Sequence, residues 1–453
     1  MTLLQEFGSW IESSYSIKHN LVTLHHARRA LLDWHGALIA GSDSEAALRL
    51  RNAYSEEFGV GNCAIAGSDR KVFTRAAAFL NGTISHIAEF DDIFRDGAYH
   101  PACPTISAAF ALAQARNASV SDLLAAIIVG YEVSTRIAKV IQPSHYRYFH
   151  TTGTAGVFGS TAACAHLLRL NASQVCDALA TAGTFASGLQ QAFRSDSMTK
   201  PMHAGHAAEV GLNAALLAQA GMTGTPDLLE GDAGFGAALC ENPRWGELFK
   251  DLGATWNIEQ MTFKNHGCCG HNFPAIDAVA FLLEKHAIAA SQIKAIRVGG
   301  YKATTEVCRY VHPQTPFEAK FSLTYTVSAR IILGRVRERA FLESALRNLD
   351  IAALEDKISL SIDPECDAKF PLHRSAKVEI EMQDGSMVAH HQKTRHGDPD
   401  EPLSDQELLD KFYELTEPRI GQDQASGLAK AILEDGAVSV HDLAYYWDKI
   451  DYE

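Results

Sequence analysis

The chain has 453 residues, 47% hydrophobic and 21% charged, so it can bury large cores in two or three domains and is not a disordered chain. Forty Lys and Arg against 54 Asp and Glu leave a net charge of −14, which excludes the basic surface that nucleic acid or an anionic membrane would need. Its 20 histidines are roughly twice the usual share, and that surplus has to be explained.

Residues 1–6 have neither a basic n-region nor a sustained apolar one, so no secretory segment is expected. The longest apolar run, near 123–129, is far short of the ~20 residues of a membrane helix. Nine cysteines are scattered, with Cys164, Cys176 and Cys240 in alanine-rich context. They read as free thiols in a reducing cytoplasm rather than a disulfide framework.

Apolar residues at helical spacing cover 27–36 and 121–131. Gly59-Val60-Gly61 matches a dinucleotide fingerprint in letters only, because no apolar strand precedes it. His86, Glu89 and Phe90 then stand at i, i+3 and i+4, the spacing of one helical face. Asp91, Asp92 and Asp96 follow, and His100-Pro101 closes the block in an extended or turn conformation. His150 comes after the aromatic Tyr146, Tyr148 and Phe149 and opens a run of hydroxyls. Free N–H groups at such a helix start make an anion site. Gly153, Gly156 and Gly159, three apart among small residues, predict a buried helix in close contact with its neighbours. The same texture returns over 204–220, where a second helix is expected to begin. Just before it, Lys200-Pro201-Met202-His203 sets a lysine between alanine-rich helices. Partial burial there would lower its pKa toward that of a base.

Lys264, His266, Cys268, Cys269 and His271 crowd one stretch without paired Cys-x-x-Cys spacing. A boundary loop at an interdomain cleft suits them better than a metal, and none is expected. The pattern changes near residue 290. Residues 293–299 read as a strand, 321–333 as a helix, and 378–389 as a hairpin turning tightly at Asp384-Gly385. Ser404 to Glu407 then opens a helix with a capping-box pattern, and helical texture continues to the end. The expected fold is mainly α: a large all-helical domain, 1–262 plus 401–453, interrupted by a smaller α+β domain, 263–400.

Asn81-Gly82, the His86…Asp91-Asp92…His100-Pro101 block, the His150 segment, Thr199-Lys200-Pro201-Met202-His203, Phe263-Lys264…Cys268-Cys269 and Leu323-Thr324-Tyr325 occur in that order. As an ordered set covering most of the chain, they resemble the MmgE/PrpD family. That family includes 2-methylcitrate dehydratase, cis-aconitate decarboxylase and iminodisuccinate epimerase. The resemblance implies a helical domain with an α+β lid, and a homodimer acting on a small polycarboxylate without cofactor or metal. Carried over by motif, it implies a site of His100, His150, Lys200, His203, Lys264 and Tyr325. Decarboxylase and dehydratase members show Leu-Asp-[Phe/Tyr]-Asp-Asp-Thr in the acidic block, whereas this chain has Glu89 and Ile93 at the second and sixth positions. That departure points to a sister activity on a different acid.

The shared chemistry concerns the carbon next to a carboxylate, where cations and hydrogen-bond donors must hold the developing charge. Lys200, His100, Tyr146, His150 and Lys264 are the expected catalytic groups. His86, Glu89, Asp92, His203, His266 and Tyr325 are expected to bind substrate. Epimerisation of an imino- or aminodicarboxylate is the first expectation. Dehydration of a 2-methylcitrate-like hydroxy acid, decarboxylation of the cis-aconitate type and a non-catalytic carboxylate binder are the alternatives, since fold alone does not choose.

Overall fold

The computed structural model describes residues 1–195, 197–370, 372–434 and 438–449. The protein is mainly helical with one four-stranded sheet, as the sequence pattern predicts. It divides into two compact units, Met1–Thr262 with Ser404–Glu453, and Phe263–Leu403. Helical structure reaches a 3-10 turn at Tyr446–Lys449. Residues 450–453, where helix is also expected, lie outside the described residues. Among the described residues, no helix is long and apolar enough to cross a membrane.

The first unit is built around four helices, Thr74–Ile87, Ala102–Arg116, Gly156–Leu167 and Thr199–Gln219, which pack on one another. Their small residues explain how closely. A Cβ on Gly205 would collide with the Phe79 carbonyl, and one on Gly159 would collide with the Thr105 hydroxyl. Backbones in such contact gain dispersion along their whole length while leaving no void. The Leu21–Gly41 helix packs on Thr74–Ile87 and on Asp405–Ile420, a helix from the far end of the chain. Asp405–Ile420 begins with the expected capping box between Ser404 and Glu407.

The helix expected from Ala204 starts five residues earlier, at Thr199. Pro201 does not break it, because a proline in the first helical turn removes an N–H that has no intrahelical partner anyway. Lys200 and His203 therefore ride on that helix, three residues apart.

In the second unit the strand order is β2-β1-β3-β4, with β1 Ile293–Gly300, β2 Ile358–Ile362, β3 Ala376–Met382 and β4 Met387–Gln392. β1 and β2 run parallel and the other pairs antiparallel. The Phe273–His286 helix covers β3 and β4, burying Val279 and Leu282 with Ile296, Val298 and Val378. The β3–β4 connection is looser than the two-residue turn expected. Met382 N–H donates to the Ser386 carbonyl, Gly385 N–H donates to the Met382 carbonyl, and only Gly385 of the loop takes a positive φ, 86°. This is a three-residue loop with glycine in the left-handed position.

Candidate active site

The acidic block is not one helical face. The Thr74–Ile87 helix ends one residue after His86, Ala88 caps it, and Glu89 turns left-handed at φ 62°. A non-glycine residue holds that conformation at a cost of roughly 1–3 kcal/mol. The turn sends Glu89 and Asp91 in different directions, and each carboxylate meets a different part of the site.

Asp91 is fully buried and is the hub. Its Oδ2 lies 2.9 Å from His86 Nδ1 and 2.7 Å from His100 Nδ1. An ionised carboxylate accepts, so His86 presents its N–H to it at Nδ1, while His100 meets the same oxygen as a charge contact. His86 is sealed, whereas the His100 side chain is 16% exposed. His150 stacks on His86, with ring centroids 5.6 Å apart and an interplanar angle of 17°. Its Nδ1 lies 3.0 Å from His203 Nδ1, so one ring donates and the other accepts. Burial, then the neighbouring His86 and Lys200, hold His150 well below the usual histidine range. Burial likewise brings His203 down to about 4. Both rings are neutral at physiological pH. Lys200 pairs with Glu89, and its ammonium sits 5.3 Å over the Phe193 ring, which also packs edge-on against His150. Four histidines, one lysine and two carboxylates thus converge from the block, the start of the Thr151–Thr154 helix and the start of Thr199–Gln219.

Asp92, expected to bind substrate, is turned the other way. It is fully buried and accepts from Ala102 N–H at 3.0 Å and from the Tyr131 hydroxyl at 2.8 Å. It holds the first turn of the Ala102–Arg116 helix, and burial pushes its pKa up to about 8. Beside it lies a buried ion pair. Lys411, from Asp405–Ile420, donates to Asp33 Oδ1 at 2.6 Å and to the Phe90 carbonyl at 2.8 Å. Tyr146, expected to be catalytic, lies on the 3-10 turn before His150 and is 41% exposed.

Lys264, His266 and Tyr325 belong to the second unit. Lys264 is buried there. His266 Nε2 is hydrogen-bonded to Asp277 Oδ1 at 2.9 Å, and the Tyr325 hydroxyl donates to the Ala340 carbonyl at 2.5 Å. These two polar groups are engaged within their own unit.

Among the described residues, one group has ligand atoms converging as a metal site needs: His86, Asp91 and Cys103, within 4.8 Å of one another. Their N, O and S donors suit zinc. Burial and Asp91 hold the Cys103 thiol well above its usual range, however, and a thiol must lose its proton to bind. The trio fits a resident metal poorly.

Asp91 and Lys411 were not singled out by the sequence. Asp91 was in view beside Asp92, but nothing in two adjacent aspartates says which one faces the histidines. Lys411 lies 321 residues from the carbonyl it holds, in a helix that reads as an ordinary amphipathic surface element.

Comparison with known proteins adds an independent line. The MmgE/PrpD N-terminal domain model matches residues 5–248, and the MmgE/PrpD C-terminal domain model matches residues 266–435. Cis-aconitate decarboxylase of Homo sapiens is 27% identical over 429 residues, covering 91% of this chain and 88% of that protein. The cis-aconitate decarboxylase-like protein oryM of Aspergillus oryzae is 27% identical over 440 residues, covering 90% and 89%. Cis-aconitate decarboxylase of Aspergillus terreus is 26% identical over 379 residues, covering 78% and 77%.

Proposed function

The chain belongs to the MmgE/PrpD family, and from that premise we propose that it is a lyase releasing carbon dioxide from an unsaturated tricarboxylic acid of the cis-aconitate type. The observation that carries the reading is the Asp91-bridged pair His86 and His100 beside Lys200. Its relatives are named for this reaction, whereas the sequence motifs alone favoured epimerisation.

The chemistry asks for few parts. In such an acid the departing carboxylate sits on a methylene next to the carbon–carbon double bond. Its C–C bond breaks, and the electron pair becomes a new double bond. The pair of the old double bond takes a proton at the carbon beside a second carboxylate. One proton enters, carbon dioxide leaves, and an unsaturated dicarboxylate one carbon shorter remains. His100 is assigned as proton donor, because Asp91 supports its cationic form and its side chain is the more exposed of the bridged pair. Lys200 receives a substrate carboxylate in place of Glu89. Of the neutral pair His150 and His203, the ring that accepts at Nδ1 carries its proton on Nε2 and can donate it to the substrate without adding charge.

The test is direct. The purified protein is given cis-aconitate in deuterium oxide and followed by proton NMR with carbon dioxide capture. The expected result is loss of the vinyl signal matched one to one by carbon dioxide. Lys200→Ala is expected to lose on the order of 10²–10³ in kcat/KM, the scale of removing one group that stabilises developing charge. Unchanged cis-aconitate overturns the reading.

A second reading has its own observation. The Lys200–Glu89 pair sets a cation beside an anion, which complements an imino- or aminodicarboxylate and allows a proton to be exchanged at its α-carbon. The same experiment with that substrate class would show α-proton exchange with no loss of carbon.

A further inference from the structure

We propose that Lys411 is a positioning residue of this site: with Asp33 it clamps the Phe90 carbonyl and so fixes the segment that presents Glu89 and Asp91.

The segment is short and under tension from both directions. Glu89 is left-handed, its carboxylate is drawn to Lys200, and Asp91 is drawn to two histidines. Phe90 is the residue between them. Downstream, Asp92 is held by Ala102 and Tyr131, and Ile93 exchanges two backbone hydrogen bonds with Thr262 at 2.9 Å each. Upstream, the helix ends at Ile87. The Phe90 carbonyl is where a tie must lie if the two carboxylates are to keep their separate aims, and Lys411 supplies one. Its ammonium also sits 5.7 Å over the Phe90 ring.

Stability alone does not account for the pair. Lys411 and Asp33 side chains are 1% and 0% exposed, and a buried ion pair is often no more stabilising than apolar residues of the same size. An apolar pair would fill the space but could not hold a carbonyl. Asp33 in turn aims the ammonium.

The test uses that contrast. Lys411→Met alone strands a buried carboxylate, so the informative variant is the double Asp33→Leu with Lys411→Met, which removes both charges together. Its thermal midpoint is expected within a few degrees of wild type. Its kcat on the acid that the wild type turns over is expected to fall roughly 100-fold, the scale of a misplaced catalytic group, with KM little changed. This kinetic arm rests on the decarboxylase reading. The second arm does not: in histidine-labelled protein, the ring nitrogen signals of His86 and His100 are expected to shift, because Asp91 has moved. Unchanged signals overturn the proposal whatever the turnover, and so does full kcat in the double variant. If the wild type turns over no candidate acid, the reading of function fails and the nitrogen signals alone decide the role of Lys411.

Discussion

At the scale of single residues, the adjacent pair Asp91 and Asp92 shows how little sequence separates two roles. One is bound by histidines of the site, the other by a helix N-terminus and a tyrosine. The choice is made by the left-handed turn at Glu89, and no glycine or asparagine marks that turn in the sequence. Asp91→Asn keeps the shape and can still offer a carbonyl oxygen where both rings meet Oδ2, but it removes the negative charge that supports a cationic His100. Steady-state kinetics on this variant are expected to show kcat reduced by about 10²–10⁴, the range of a lost general acid–base group. Wild-type kcat would mean that His100 does not depend on Asp91. Other residues were legible: His86, Glu89, His100, His150, Lys200 and His203 were all named from motifs, and the structure gathers them. Tyr146 was named for its place in an aromatic loop, but an exposed ring there looks the same in sequence as a buried one.

At the scale of elements, the site depends on two helices lying backbone to backbone. Thr74–Ile87 brings His86 in its last turn, and Thr199–Gln219 brings Lys200 and His203 in its first. Gly82 and Gly205 face each other at the crossing, with no room for a Cβ on either. Gly205→Ala forces a methyl against a carbonyl that cannot move aside. It is expected to cost about 1–3 kcal/mol or more, read as a lower urea midpoint with an unchanged slope. Gly246, which has nothing near its missing Cβ, is the control: Gly246→Ala is expected to stay within about 0.5 kcal/mol. Close packing was readable from the glycine spacing. The helix start at Thr199 was not, because Pro201 gives the same signal outside a helix as in its first turn.

At the scale of the whole molecule, the histidine surplus becomes a statement about acid. His35, His145, His150, His166, His203 and His271 are all held below their usual range, with burial as the leading cause. A ring kept neutral in the folded state and free to charge when unfolded favours the folded state above the unfolded pKa of ~6.5, and that advantage is lost as pH falls. Asp92, pushed up to about 8, works the other way, since its folded form holds a proton that the unfolded chain releases above pH ~4. Asp33 and Glu132 shift in the same direction as Asp92. His19, His26 and His391 are also held low, and Glu209 and Glu355 are also pushed up, so nine rings outnumber five acids and unfolding is expected to take up protons near pH ~5.5. Urea midpoints measured from pH 7 to pH 5 should therefore fall, and midpoints that rise toward pH 5 would contradict this balance.

The tie made by Lys411 also has a consequence in time. Met1–Thr262 and Ser404–Glu453 form one unit, and the 141 residues of Phe263–Leu403 are made between them. At roughly 5–20 residues per second of synthesis, His86, His100, His150 and Lys200 all exist for about 10 seconds or more before Lys411 is joined to the chain. During that interval Asp33 lacks this buried counter-charge and the Phe90 carbonyl lacks this donor. On the proposal made for Lys411, a nascent chain therefore carries the histidines of the site before the residue that clamps the segment holding them, and the order of synthesis puts that clamp after the groups it positions.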